Sequence, residues 1–179
     1  MTRASFCVLL VEPVPRPKGH TMHKQAILQE LQSAQEFFNR STRNLTEEVA
    51  NFAPVEGTMT AAQQVAHVAQ TIEWFFEGAF RPEAFSSDWE AAAKETAAVT
   101  SLAVAREWLD RAFAAARAKT EATSQEDWNA PLAPNPFFGE IPRFVIIGAI
   151  TDHTAHHRGA LTVYARLNNI TPPMPYMDM

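Results

Sequence analysis

Two of the six histidines in this 179-residue chain, His153 and His157, lie four residues apart in a stretch that reads as helix. On an α-helix that spacing puts both rings on one face, with Cα atoms about 6 Å apart, within reach of one ion. Their neighbours on that face are Ile146, Ala149, Ile150, Ala160, Leu161 and Tyr164, so the pair sits in the stripe that must face a core. Two imidazoles buried side by side need polar partners, and one bound cation satisfies both. His156, three residues after His153, competes with His157 for the second position. Its other reading is a hydrogen-bonding group at the edge of a pocket. H-x3-H by itself is a weak pattern, because it lacks the Glu of the zinc-protease motif.

His67 lies midway along an earlier helical segment, with Gln63, Gln64, Gln70, Thr71 and Trp74 on roughly its own side. A lone His on such a face is usually a hydrogen-bonded structural residue. As a third ligand it would complete a nitrogen site with positions open for water or substrate, as a catalytic centre requires. His20 and His23 read as surface residues.

Four amphipathic helices must position these rings. The first is expected from about Met22 to Asn44, with Ile27, Leu31, Ala34 and Phe38 as its apolar stripe. The second is capped by Thr58 or Thr60 and runs to about Phe80, burying Ala61, Val65, Val68, Ile72, Phe75 or Phe76, and Ala79. After Pro82, a crossover carries a short helix around Ser87–Glu95. The third long helix spans about Ser101–Ala122, with Leu102, Ala105, Leu109, Ala112 and Ala116 inward. Residues Asn129–Ile141 read as irregular. Pro142 opens the last helix, which continues to about Asn168. The expected fold is all-α: an antiparallel four-helix bundle with a long crossover between helices two and three. Residues 1–21, with Pro13, Pro15 and Pro17, read as a flexible extension, and 22–179 as the bundle domain.

Composition narrows the partners. A net charge of -5 with no basic stripe argues against nucleic acid. No apolar run approaches a membrane span. Ser5–Val11 is too short, and lacks the small-residue cleavage site, for a signal peptide. The single cysteine, Cys7, cannot form an intrachain disulfide, which leaves the cytoplasm as the default compartment.

The run T-D-H-T-A-H-H-R-G-A-L at 151–161, followed by Tyr164, Asn169 and Pro172–Pro173, resembles the last helix of the DinB/YfiT-like superfamily. The segment A-Q-Q-V-A-H-V-A at 62–69 resembles that family's second helix. The resemblance runs from about Met22 to Pro175. It implies a four-helix bundle, often a homodimer, with a metal held by His67, His153 and His157. In the family's pattern the second ligand on the last helix directly precedes Arg-Gly, which selects His157 over His156. The family commonly carries Gln after Arg-Gly, where this chain has Ala160. Bacillithiol S-transferases and mycothiol-dependent maleylpyruvate isomerase are relatives of this architecture, so a low-molecular-weight thiol is an implied co-substrate.

Three neutral imidazoles suit Zn²⁺ or Ni²⁺. The expected function is therefore a metal-dependent hydrolase or thiol-dependent S-transferase acting on a small molecule. The alternative is a non-catalytic metal or small-ligand binder of a stress response. Gln63, Gln70, Trp74, His156 and Tyr164 are the candidate substrate-pocket residues, although Trp74 and Tyr164 also suit a core with a polar edge. Asp152 points about 100° from His153 around the helix. It reads as a surface or supporting carboxylate, and Glu73 and Glu77 as solvated. Arg158 suits an anionic substrate or an inter-helix salt bridge. Metal occupancy is expected to fall below about pH 6, where imidazole protonates.

Overall fold

A computed structural model describes residues 22–177. The expectation for residues 1–21 lies outside the described residues. Helix α1 spans Lys24–Thr42, α2 Ala61–Phe80, α3 Trp89–Ala97, α4 Leu102–Ala122, α5 Gln125–Asn129 and α6 Val145–Leu167. A 3-10 turn at Glu47–Val49 lies between α1 and α2. Among the described residues no helix is long and apolar enough to cross a membrane.

The stripes do what their periods predict. Ile27, Leu31 and Phe38 of α1, Val65, Val68 and Ile72 of α2, and Leu102, Ala105 and Leu109 of α4 are all buried. Each large side chain so buried contributes about 1.5–3 kcal/mol of transfer free energy. Together these stripes and the inward face of α6 make one core.

α1 packs on α4 and α6, and α2 packs on the same two helices, so α1 and α2 lie on a diagonal of the bundle. The contacts set the directions. Lys24 at the start of α1 bonds main-chain oxygens at Glu121 and Thr123, while Arg106 near the start of α4 bonds Thr42. Those two helices are therefore antiparallel. α2 and α6 are antiparallel too, since Gln64 meets Tyr164 and Arg143 meets Ala79. The crossover at 81–101 allows α4 to run alongside α2 in the same direction: Glu73 meets Trp108, and Phe80 meets Lys119. The bundle thus combines antiparallel and parallel neighbours.

Of the two candidate caps, Thr60 is used. Its side chain accepts from Gln63 N at 3.3 Å, and the Gln63 side chain accepts from Thr60 N at 2.9 Å, which forms a capping box. The last helix begins later than Pro142 because residues 142–147 first make i→i+3 turns. It ends with Asn169 at φ 60°, where Ile170 N reaches back to Ala165 O. The chain turns back against α2 at Gly78, where a Cβ would stand 2.1 Å from the Phe85 ring.

Helix α3 and the segment leading into it are fastened to α2 by three side chains from one row. Gln63 Nε2 donates to Ala97 O at 3.2 Å, Gln70 Nε2 to Ala92 O at 2.9 Å, and Trp74 Nε1 to Ser86 O at 2.9 Å. α5 has no apolar period to announce it. It is a single turn capped by Ser124 that carries Trp128 into the core.

Candidate metal centre

The antiparallel contact of α2 and α6 brings His67 opposite His153 and His157. His153 Nε2 lies 3.3 Å from His67 Nε2 and 3.1 Å from His157 Nε2. Among the described residues, this trio is the one group of three or more His, Cys, Asp or Glu side chains placed to share an ion, with ligand atoms within 4.8 Å of one another. Nitrogens about 2.0–2.1 Å from a shared zinc, at angles of roughly 90–110°, would stand about 2.9–3.4 Å apart. The two close spacings fall in that interval.

The rings are poised as neutral bases. Burial pushes the His67 imidazole below its ordinary range. Burial, and then the neighbouring His67 and His156, hold His153 down to about 4, with Asp152 opposing. Burial, and then His153, His67 and His156, push His157 down to about 3. At neutral pH each ring therefore carries one proton and one lone pair. A single proton on His153 Nε2 can serve only one of its two close neighbours. Hydrogen bonding among the rings thus leaves one nitrogen pair unsatisfied, whereas a shared cation satisfies all three. The donor set, three nitrogens with no carboxylate among them, suits a borderline transition metal rather than calcium or magnesium.

A cavity of about 430 Å³ opens beside the trio, lined by His67, Gln70, Thr71, Trp74, Phe75, Trp89, Ala92, Ala149, Asp152 and His153. Most of this wall is apolar, and Asp152 is its only carboxylate. A larger, shallower cleft of 730 Å³ shares Gln70, Trp74, Trp89 and Ala92 with it but reaches none of the histidines. The smaller cavity is the one that meets the candidate chemistry.

The candidate pocket residues divide. Gln70 and Trp74 line the cavity. Gln63 does not, because its amide is used in the capping box and on Ala97 O. His156 is exposed, turned outward from the trio, with its ring centroid 4.9 Å from that of His157. Tyr164 lies behind the histidines rather than in the cavity, donating to Met59 O at 2.9 Å and accepting from Gln64 Nε2 at 3.3 Å.

Gln64 is the residue the sequence did not single out. It is buried, and its Oε1 is hydrogen-bonded to His157 Nδ1. Its signal was position alone: three residues before His67, it faces the same neighbouring helix.

Two other readings change. Glu73 is half-buried rather than solvated, because Trp108 Nε1 of α4 covers it and donates at 2.9 Å. Burial raises its carboxyl above the usual range. Arg158 makes no salt bridge among the described residues, and its Nη2 instead donates to Tyr176 Oη at 3.4 Å. Its guanidinium lies over the Phe37 and Tyr176 rings, at 5.9 and 5.6 Å.

A family model described as the DinB superfamily matches residues 30–161. No protein of curated function matches the chain. Among solved structures, a DinB-like protein from Bacillus cereus is 21% identical with a TM-score of 0.67, covering 83% of this chain and 95% of that one. YfiT from Bacillus subtilis, described as a probable metal-dependent hydrolase with an unusual four-helix bundle topology, is 15% identical with a TM-score of 0.67. That match covers 89% of this chain and 95% of YfiT. The colibactin self-resistance protein ClbS, solved in complex with double-stranded DNA, is 16% identical with a TM-score of 0.60. It covers 80% of this chain and 95% of ClbS. At these identities the structural likeness concerns the fold.

Proposed function

The chain belongs to the DinB superfamily, and from that premise we propose that it is a metal-dependent enzyme acting on a small molecule. The reaction is hydrolysis or transfer of a low-molecular-weight thiol. The observation that carries this reading is the convergence of three neutral imidazoles, from His67, His153 and His157, beside a mostly apolar cavity. Zn²⁺ or Ni²⁺ fits that donor set. Once bound, such an ion supplies a Lewis acid that can acidify water, hold a thiolate or polarise a carbonyl.

The chain's own residues supply the rest. The three rings hold their lone pairs ready at neutral pH because burial disfavours their protonated forms. Trp74, Phe75 and Trp89 offer apolar contact to a ligand's carbon skeleton and exclude water from its inner side. Asp152, exposed at the cavity wall, is the carboxylate that would take a proton from a molecule in the cavity. A small-molecule substrate agrees with this cavity and with the net charge of -5. The DNA in the ClbS complex is a property of that protein. A homodimer and a cytoplasmic location belong to the same proposal, and light scattering of the purified protein tests the former.

The test begins with elemental analysis of the purified protein. Assays follow with thiol cofactors plus electrophiles, and with esters and amides. Stoichiometric metal with turnover supports the proposal. Stoichiometric metal with no turnover on either panel favours the non-catalytic binder. Absence of metal, with failure to take up Zn²⁺ or Ni²⁺ on titration, overturns both.

A further inference from the structure

Behind the histidines a short run of hydrogen bonds has only one consistent direction. The main-chain oxygen of Met59 can only accept, so the Tyr164 hydroxyl proton points at it, at 2.9 Å. The Tyr164 oxygen then accepts from Gln64 Nε2 at 3.3 Å. With its amide nitrogen so engaged, Gln64 presents Oε1 to His157 Nδ1. A carbonyl oxygen cannot donate, so the ring proton of His157 sits on Nδ1. The lone pair is left on Nε2, the atom that faces His153 Nε2 at 3.1 Å.

We infer that Tyr164 and Gln64 are positioning residues that fix His157 in the Nδ1–H tautomer, the form whose Nε2 can ligate. A free histidine side chain favours the proton on Nε2, so the chain of bonds works against the intrinsic preference. The geometry is buried: Gln64, His157 and Tyr164 are each less than a tenth exposed. Water therefore does not compete for these bonds, and the Met59 carbonyl orients the whole series. The inference rests on the metal-centre reading for its consequence, but the tautomer itself belongs to the metal-free protein.

Long-range ¹H–¹⁵N correlation spectra of the ¹⁵N-labelled, metal-free protein at pH 7.5 read the tautomer directly. The expected pattern for His157 is a protonated Nδ1 and a bare Nε2. An Nε2–H pattern overturns the inference whether or not the protein binds metal. Loss of an outer hydrogen-bond partner typically costs about 10–100-fold in metal affinity. Gln64→Leu is expected to weaken Zn²⁺ binding within that range, with a mixed tautomer at His157. Tyr164→Phe removes the acceptor that orients Gln64 and is expected to cost about tenfold, near the lower end. Gln64→Glu loses the amide that donates to Tyr164 but keeps an acceptor facing Nδ1, and is expected to keep the Nδ1–H form. Melting of each metal-free variant shows whether it is folded. If Gln64→Leu does not fold, Tyr164→Phe and the wild-type spectrum still decide. Unchanged affinity and tautomer in folded Gln64→Leu overturn the inference. A wild-type protein that shows Nδ1–H yet takes up no Zn²⁺ overturns the metal-centre reading instead.

Discussion

His67 and His153 stand 86 positions apart in the chain, yet their Nε2 atoms are 3.3 Å apart across the α2–α6 contact. Only the bundle brings them together, so metal retention should report on the fold as well as on the rings. His67→Ala, His153→Ala and His157→Ala are each expected to lose stoichiometric metal after dialysis. His156→Ala, on the outward side of the helix, is expected to keep it. Elemental analysis of the four proteins checks this, and metal loss in His156→Ala with retention in His157→Ala would reassign the second ligand of α6 from His157 to His156.

Acid should weaken the metal-free protein in a defined window. His153 and His157 are held at about 4 and about 3 when folded, below the ordinary value near 6.5 in the unfolded chain. Between those values the unfolded chain binds more protons than the folded one. Stability from these rings is thus complete above about pH 6.5 and drains away as pH falls towards 4 for His153 and towards 3 for His157. Chemical denaturation of the apoprotein at pH 7.5, 5.5 and 4.5 is expected to show a progressive loss. Replacing both histidines with Gln should flatten that dependence.

The same depression moves the pH at which metal is lost. Ordinary imidazoles suggest loss below about pH 6. Protons compete less well for rings whose charged form is disfavoured by burial. Bound metal is therefore expected to persist at pH 5.5 and to leave only as pH approaches 4. Metal release followed with a chromogenic chelator measures the midpoint.

Gly78 offers a test of packing away from the rings. An added Cβ would stand 2.1–2.6 Å from three atoms of the Phe85 ring, which is itself wedged among Trp74, Phe75 and Phe138. Gly78→Ala is expected to destabilise by about 1–3 kcal/mol. In a chain of this size the melting temperature should fall by roughly 2–4 °C for each kcal/mol. Gly78→Ala combined with Phe85→Leu should recover part of the loss.

Helix α3 should loosen locally when its attachment is cut. Gln70 Nε2 bonds both Ala92 O at 2.9 Å and Glu95 Oε2 at 2.7 Å. Each partly exposed bond contributes about 0.5–1.5 kcal/mol. Gln70→Leu removes both bonds and is expected to speed amide exchange in residues 89–97 by about fivefold to a hundredfold. Amides of the α2 and α4 core should be unaffected, and hydrogen exchange read by mass spectrometry resolves the two regions.

Local periodicity explains what could be read in advance. The i, i+4 spacing of His153 and His157 sets their shared face, and the stripes of α1, α2 and α4 name their buried residues. Contacts that depend on which helices become neighbours were harder to see. Gln63 and Gln64 are adjacent in sequence but about 100° apart around the helix. One fastens α3 and the other reaches His157, and only the docking of α3 and α6 distinguishes them. Glu73 looked solvated because the ring that covers it comes from α4, 35 residues away. The five-residue α5 is too short to show a period.

The fastening of α3 has a consequence for how such proteins diversify. Gln63, Gln70 and Trp74 all grip main-chain carbonyls, at Ala97, Ala92 and Ser86. Those oxygens are present whatever amino acids occupy the crossover. Its outward vocabulary can therefore be rewritten over generations, Trp89 and Ala92 included, while its mooring endures. A scaffold arranged in this way can acquire new selectivities by exchanging the side chains of one strap and leaving its three histidines untouched.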